Sequence, residues 1–416
     1  MTASRSKLAI PASARRRSIA ARVAAALLPV PARGRLIIGL PHGETIMLAG
    51  SAAGVEASIS FTNWRGFWRI LRDGEIGFAQ GWIDGDWSSP DLDAMLAFGL
   101  DNTDQLAGIN SGSRFAALLN RVKHRLNANT RRGSRRNIVA HYDLGNAFYA
   151  RWLDSGVNYS SALYRTGEED LDTAQKAKLD RAVKLLGIDG GESVLEIGCG
   201  WGAMAERLIE CGVGKVTGLT LSDEQRAFAD VRLAGTPADI RLQDYRDCDG
   251  QFDRIVSIEM IEAVGAEYWA TYFGKLGASL RPGGSALLQA ITIADEHYEG
   301  YRRMPDFIQR YIFPGGMLPT KTILRVEAAR AGLSLVHQET FGVSYALTLR
   351  AWRDRFLSAW PDIARLGFDE RFRRMWLYYL VYCELGFRSG RIDVGFYKLV
   401  HSTDQASNGR QGFATI

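Results

Sequence analysis

Val194-Leu195-Glu196-Ile197-Gly198-Cys199-Gly200-Trp201-Gly202 is the stretch that decides how this chain is read. A short apolar run ends beside an acid and passes at once into a loop in which every second residue is glycine. That order predicts a buried parallel strand turning tightly into a helix, with a ligand held at the strand's carboxyl end. Glycine permits positive φ and lets a bulky group approach the backbone without meeting a Cβ. No Gly-Lys-Ser/Thr follows, so this is not a phosphate loop, and the spacing is not Gly-x-Gly-x-x-Gly either. A tight turn that binds nothing is the plainer alternative, and neighbouring segments must decide between the two.

Those neighbours alternate strand and helix. Strand-like runs lie at Ser193–Ile197, Lys215–Leu219, Ile240–Gln243, Arg254–Ile258 and Ser285–Ile291, separated by helical stretches at Ala203–Glu210, Asp223–Leu233 and Glu267–Leu280. The rhythm predicts an α/β fold with a doubly wound parallel sheet. Leu333–His337 and Ile392–Val400 bring the strands to seven, with helices at Tyr345–Trp360 and Arg371–Arg388 between them, and Arg281-Pro282-Gly283-Gly284 reads as the turn before a strand. Further upstream, Leu36 to Leu100 alternates short apolar runs with Gly and Asp turns, including Gly74 to Trp87. This predicts a small α+β domain with hairpins, whose core is Trp64, Phe67, Trp68, Phe78, Trp82 and Trp87.

At 416 residues the chain has room for two domains. No apolar run is long enough to span a bilayer. The four cysteines (Cys199, Cys211, Cys248, Cys383) form no Cys-x-x-Cys pair and fit a reducing cytoplasm. The six histidines are scattered, so no metal site is expected. Two zones are basic. Arg5, Lys7, Arg15, Arg16, Arg17 and Arg22 precede the first acid, Glu44, with an apolar stretch at Val23–Val30 that reaches Pro29 and Pro31 without a convincing cleavage site. A helix lying on anionic lipid and an unstructured tail fit this segment equally. The second zone, Arg121 to Arg136, sits in an acid-free linker. It suits anionic headgroups better than nucleic acid, because no aromatic interleaving or nucleic-acid module accompanies it. The expected division is a basic tail over 1–34, the small domain over 35–104, the linker over 105–140 and the large domain over 141–402. A lid is expected over 295–320, inserted helices over 345–388, and a flexible tail over 403–416.

The glycine loop, written acid-x-Gly-x-Gly-x-Gly, resembles motif I of class I S-adenosylmethionine-dependent methyltransferases. The resemblance implies a Rossmann-like, seven-stranded methyltransferase sheet, with Glu196, Gly198, Gly200, Trp201 and Gly202 around the methionine end of the cofactor. Thr220, Leu221 and Gln225 stand at the next strand end, where most of the class carries an acid. Asp244, Tyr245 and Arg246 follow the third strand and offer an aromatic face and a carboxylate to adenine.

The wider pattern resembles the cyclopropane-fatty-acyl-phospholipid synthases and, more distantly, the mycolic acid cyclopropane synthases. It runs through His141-Tyr142-Asp143-Leu144-Gly145-Asn146, Asn158-Tyr159-Ser160-Ser161, Thr220-Leu221-Ser222, Gln243 to Asp247, Met260-Ile261-Glu262-Ala263-Val264-Gly265, Tyr311 to Gly316, Ser344-Tyr345 and Tyr378-Tyr379-Leu380. Tyr159 and Ser160 join the implied cofactor set. The resemblance implies a substrate of unsaturated phospholipid acyl chains at the inner face of the cell membrane, a cytoplasmic peripheral enzyme, and no nucleic-acid partner. A homodimer is an admissible state.

The implied chemistry uses the π bond of a cis-unsaturated chain as nucleophile and leaves a carbocation, which aromatic faces and a carboxylate steady. A proton must then be lost for the ring to close. Members of the family hold bicarbonate as the base, which implies a pocket of Ser161, Glu262, Gln289, Ile291 and Tyr345, the first and fourth through backbone groups. Ser161 replaces the usual cysteine, Gln289 the usual histidine, and Ala263 another histidine. Glutamine donates a hydrogen bond but does not titrate. The catalytic set is Glu262, Tyr345, Gln289 and Cys383, although for Cys383 the surrounding aromatic helix favours a buried structural thiol. Loss of a different proton gives a methyl- or methylene-branched chain, the alternative product.

Overall fold

Two sheets are built in succession in the computed structural model, which describes residues 18–110 and 144–403. The basic residues before Ser18, the Arg121–Arg136 run, the His141–Asp143 segment and the tail from 404 onward lie outside the described residues. Ser18 caps helix α1 (Ile19–Leu27) by accepting from the Ala21 amide. Ala21 and Ala24 are buried, while Ile19, Val23 and Leu27 face outward. Strands β1 (Arg33–Gly39), β2 (Thr45–Ala49) and β3 (Ala52–Phe61) follow, then helix α2 (Trp64–Ile83), strand β4 (Trp87–Ser88), and helices α3 (Leu92–Asp101) and α4 (Thr103–Asn110). The sheet order is β2-β1-β3-β4, with β1 antiparallel to β2 and parallel to β3.

Here the structure corrects the sequence reading. The Gly74–Ile83 run is not a hairpin but the second half of α2, which bends at Gly74 (φ 56°, ψ −131°). A Cβ on Gly77 would lie 2.1 Å from the Arg69 carbonyl oxygen of the first half. A Cβ on Gly81 would lie 2.8 Å from the Trp87 ring. The helical phase also turns Trp68 outward, leaving it 53% exposed rather than in the core.

Beyond short helix α5 (Asn146–Tyr149) and helix α6 (Leu171–Leu186), the strand–helix alternation appears: β5 (Ser193–Ile197), α7 (Ala203–Glu210), β6 (Lys215–Thr220), α8 (Asp223–Arg232), β7 (Ala238–Leu242) and β8 (Phe252–Ile258). Next come α9 (Trp269–Ser279), β9 (Leu280–Ile293), α10 (Asp295–Arg303), a π-helical turn over Ile308–Ile312, α11 (Lys321–Arg330) and β10 (Leu333–Thr340). Helices α12 (Gly342–Ser358), α13 (Trp360–Arg365) and α14 (Glu370–Arg388) lead to β11 (Ile392–His401). The seven strands order as β10-β11-β9-β8-β5-β6-β7.

Strands β5 to β9 pair in parallel, as expected, but β11 runs against both of its neighbours. The chain re-enters the sheet where β9 leaves it, with Ile392 opposite Ile293. The Arg281–Gly284 segment is an irregularity inside β9 rather than a turn before it, marked by Gly283 at φ 76° and a register shift against β8.

The two units meet on α14. Arg374 stacks its guanidinium 4.0 Å from the Trp82 ring and donates to the Trp82 and Trp87 carbonyls. The Trp82 indole N–H donates back to the Arg374 carbonyl at 2.8 Å.

Candidate active site

Parallel strands present their carboxyl ends along one edge of a sheet, so Glu196 on β5, Thr220 on β6 and the residues after Ile258 on β8 arrive together. The glycine loop takes the left-handed backbone its sequence allows, with φ of 82°, 52° and 87° at Gly198, Gly200 and Gly202. At Gly200 a Cβ would meet nothing within 4 Å, and at Gly198 it would lie 3.1 Å from Met260. The loop is thus open on one side and touches the segment after β8 on the other.

Glu196 is buried, with one carboxylate oxygen lacking a hydrogen-bond partner among the described residues. Burial pushes its carboxyl up to about 8, opposed by the Lys178 ammonium. The Tyr245 hydroxyl is likewise buried without a partner. Thr220 donates to Gln225 Oε1 at 2.8 Å, closing the end of β6, and Leu221 stands beside them. Asp244 is held by Arg246 at 2.6 Å, and the guanidinium lies over the rings of Tyr245 and Tyr268. Trp201 donates to Asn146 Oδ1 at 2.7 Å. An open glycine cradle, an orphaned buried carboxylate oxygen and an aromatic ring with an orphaned hydroxyl fit S-adenosylmethionine, whose amino group, hydroxyls and adenine supply the missing partners. The Ser160 hydroxyl instead accepts from Lys178 at 2.9 Å, and Tyr159 hydrogen-bonds Tyr379 at 2.9 Å.

The implied bicarbonate pocket is assembled differently from its reading in the sequence. The Ser161 amide and Gln289 Nε2 donate to Oε1 of Glu259 at 2.8 and 2.7 Å, and the Tyr345 hydroxyl donates to Oε2 at 2.8 Å. The remaining backbone donor, the Ile291 amide, goes to Oε1 of Glu262 at 2.5 Å. Four donors expected to surround a bound anion are therefore engaged by two protein carboxylates, and bicarbonate does not fit beside them. Glu259 was not among the residues singled out in the sequence. Its place directly after an apolar strand, mirroring Glu196 at the end of β5, was the available signal.

Burial raises both glutamates above the ordinary carboxylate range. Glu262 reaches about 8, with the Glu259 charge as second cause. Lys178, pushed down to about 8 by burial, faces Glu259, Asp154 and Glu196. It too escaped sequence reading, because a lysine in an amphipathic helix reads as solvated.

Above the carboxylates stands a wall of rings. Tyr159 lies within 5.3 to 5.7 Å of Tyr149, Trp152 and Trp352, and Tyr345 stacks on Phe387 at 4.4 Å. A cavity of about 1200 Å³ opens from here. Its lining includes Glu259, Glu262, Ala263, Ile291 and Tyr345 together with Tyr301, Ile308, Met317, Tyr378 and Cys383. Leu36, Ile38, Ile59, Phe61, Phe78 and Phe98 from the amino-terminal unit add apolar lining, and Arg69, Glu75, Arg303 and Asp306 are among the charged groups around it. Small-molecule sites measure roughly 300–1,000 Å³, so this one has room for a large, mainly apolar ligand. Cys383 is a wall residue whose thiol is pushed up by burial, which disfavours the thiolate a nucleophile needs. Residues 295–320 contact this site, with the Met317 amide donating to the Glu262 carbonyl at 2.8 Å and Tyr311 hydrogen-bonded to Gln80.

The sheet order, the glycine loop and the ligand groups at successive strand ends define a class I methyltransferase fold. A family model for mycolic acid cyclopropane synthetase matches residues 129–397, and the chain belongs to that family. It is 40% identical to the tuberculostearic acid methyltransferase UfaA1 of Mycobacterium tuberculosis, over 80% of each chain. It is 37% identical to the cyclopropane-fatty-acyl-phospholipid synthase of Escherichia coli K12, over 86% of this chain and 90% of that one. Among solved structures, the mycolic acid cyclopropane synthase CmaA1 complexed with SAH and CTAB superposes with a TM-score of 0.60 at 31% identity, covering 64% of this chain and 97% of that chain.

Proposed function

We propose that this protein transfers a methyl(ene) group from S-adenosylmethionine to the cis double bond of unsaturated acyl chains in phospholipids, forming cyclopropane fatty acids through a carbocation. The observation that carries this reading is the large, mostly apolar cavity that Glu259 and Glu262 line, on the segment that the glycine loop touches through Met260. The family membership and the 37% identity to a cyclopropane-fatty-acyl-phospholipid synthase support it.

When bound, S-adenosylmethionine supplies an electrophilic methyl group on a sulfonium. Glu196, the glycine loop, Thr220, Gln225 and the Asp244–Arg246 segment hold it. The rings around Tyr159 face developing positive charge with their π clouds. The covering segment over 295–320 keeps water from the cation. An ionised carboxylate stabilises positive charge most strongly in this dry surrounding.

Branched product is the second reading. Gln289 stands where histidine is usual, and the 40% identity is to a tuberculostearic acid methyltransferase. Peripheral attachment to the inner face of the membrane is supported by α1. Ile19, Val23 and Leu27 form an exposed apolar stripe one turn apart, and Leu28 at the end of that helix lines the cavity. No described helix is long and apolar enough to cross a membrane.

Expression in a host lacking cyclopropane lipids, followed by mass spectrometry of its fatty acids, tests the function. Gain of one CH2 with no remaining double bond is the expected result. The same gain with unsaturation retained selects the branched product, and unchanged lipids sink both.

A further inference from the structure

The geometry points to Glu259 as the internal base of this site, its side-chain carboxylate standing where relatives of the resembled type bind an external anion. The inference rests on the acyl-transfer reading above. It concerns how the cation loses its proton and holds for either product.

Three observations carry it. The donors are complete: two reach Oε1 and one reaches Oε2. A carboxylate oxygen accepts about two hydrogen bonds, so Oε1 is filled while Oε2 keeps a lone pair for an incoming proton. The placement is right, because Glu259, Glu262 and Tyr345 all line the cavity. The backbone is also unusual. Glu259 has φ 48°, a left-handed conformation that glycine adopts freely and glutamate rarely does. Such strain is kept where a side chain must be held in one place. Its amide is anchored to the Gln289 carbonyl at 2.7 Å.

Glu259 and Glu262 divide the work. Three donors on Glu259 against one on Glu262 leave the negative charge on Glu259, and Lys178 reinforces that choice. Glu262 beside it keeps its proton more readily, as adjacent carboxylates do when one is better solvated.

The step balances as follows. The alkene π pair forms a C–C bond to the sulfonium methyl carbon, the S–CH3 pair stays on sulfur, and the other alkene carbon becomes cationic. Oε2 of Glu259 then takes a proton from the new methyl group, and the freed C–H pair becomes the second ring bond. If a hydride first moves from the methyl-bearing carbon to the cationic carbon, the same proton loss gives an exocyclic methylene. The glutamic acid returns its proton to water after the product leaves.

The test uses the full chain with S-adenosylmethionine and vesicles of unsaturated phospholipid, in buffer freed of carbon dioxide and then supplied with bicarbonate. Wild-type turnover is expected to be the same in both. Glu259→Gly relieves the backbone strain and should keep the melting temperature and S-adenosylhomocysteine affinity. Its turnover should fall about 100-fold and recover at least partly with added bicarbonate or formate. Glu259→Gln should fall similarly without rescue, because its amide still fills the space. Wild-type turnover that requires bicarbonate, or a Glu259→Gly variant as active as wild type without it, overturns the inference. A wild type that binds S-adenosylhomocysteine but modifies no unsaturated lipid overturns the acyl-transfer reading itself.

Discussion

The Tyr345 hydroxyl donates to Oε2 of Glu259 at 2.8 Å, while the Tyr345 ring stacks on Phe387. The phenol is thus fixed by packing on its face and delivers one hydrogen bond to a buried carboxylate. Tyr345→Phe keeps the stack and removes only that bond. A hydrogen bond to a charged group contributes about 1.5–3 kcal/mol, so kcat should fall roughly 10- to 100-fold with S-adenosylhomocysteine affinity unchanged. Losing a donor to the ionised form raises the Glu259 pKa. The acid limb of the pH–rate profile should therefore move to higher pH, which a merely structural tyrosine would not cause.

Glu196→Gln tests the cofactor assignment. The buried, half-satisfied carboxylate at the end of β5 is expected to gain its partner from bound cofactor. Calorimetric affinity for S-adenosylhomocysteine should weaken about 10-fold or more. Unchanged affinity would move the cofactor away from Glu196.

The pH dependence of stability follows from carboxyls that burial raises, among them Glu196 and Glu262 to about 8 and Asp306 to about 7. Each is protonated more readily in the fold than in the unfolded chain, so its contribution is full below the unfolded pKa and is lost as pH rises through the folded one. The ligand-free melting temperature should drop by at least about 4 °C between pH 5 and 8. Glu262→Gln should flatten that slope and abolish turnover while leaving S-adenosylhomocysteine binding largely intact. A melting temperature independent of pH over this range would contradict the buried, raised carboxyls.

Arg374→Ala removes the guanidinium from the Trp82 ring and from two carbonyls of the amino-terminal unit. The loss is about 3 kcal/mol of unfolding free energy, read as a lower denaturation midpoint. Arg374→Lys should recover less than half, because an ammonium cannot span both carbonyls and the indole.

The α1 stripe makes a separate prediction. Ile19→Asp combined with Leu27→Asp should lower co-sedimentation with anionic phosphatidylglycerol vesicles about tenfold. Activity on detergent-dispersed lipid should persist. Equal sedimentation of variant and wild type would place membrane contact elsewhere.

Periodicity and glycine placement made the large sheet readable from the chain alone. Alternating apolar strands and amphipathic helices have few other ways to bury their faces, and a glycine loop after an apolar strand is a local backbone requirement. The same locality made Glu196 and Thr220 visible. Tertiary structure decided what depends on distant partners. The Gly74–Ile83 run became a helix because Trp87 packs on Gly81 and Arg374 of α14 on Trp82, which no short window reveals. Glu262 was visible as an acid after β8, yet three of the four donors assigned to an anion came from distant segments and closed on Glu259 instead. The chain order names Val194–Gly202 as a cofactor loop, but only the meeting of Ser161, Gln289 and Tyr345 in space shows which carboxylate they serve. A hydrogen bond is set by position within a few tenths of an ångström, and that precision belongs to the folded molecule.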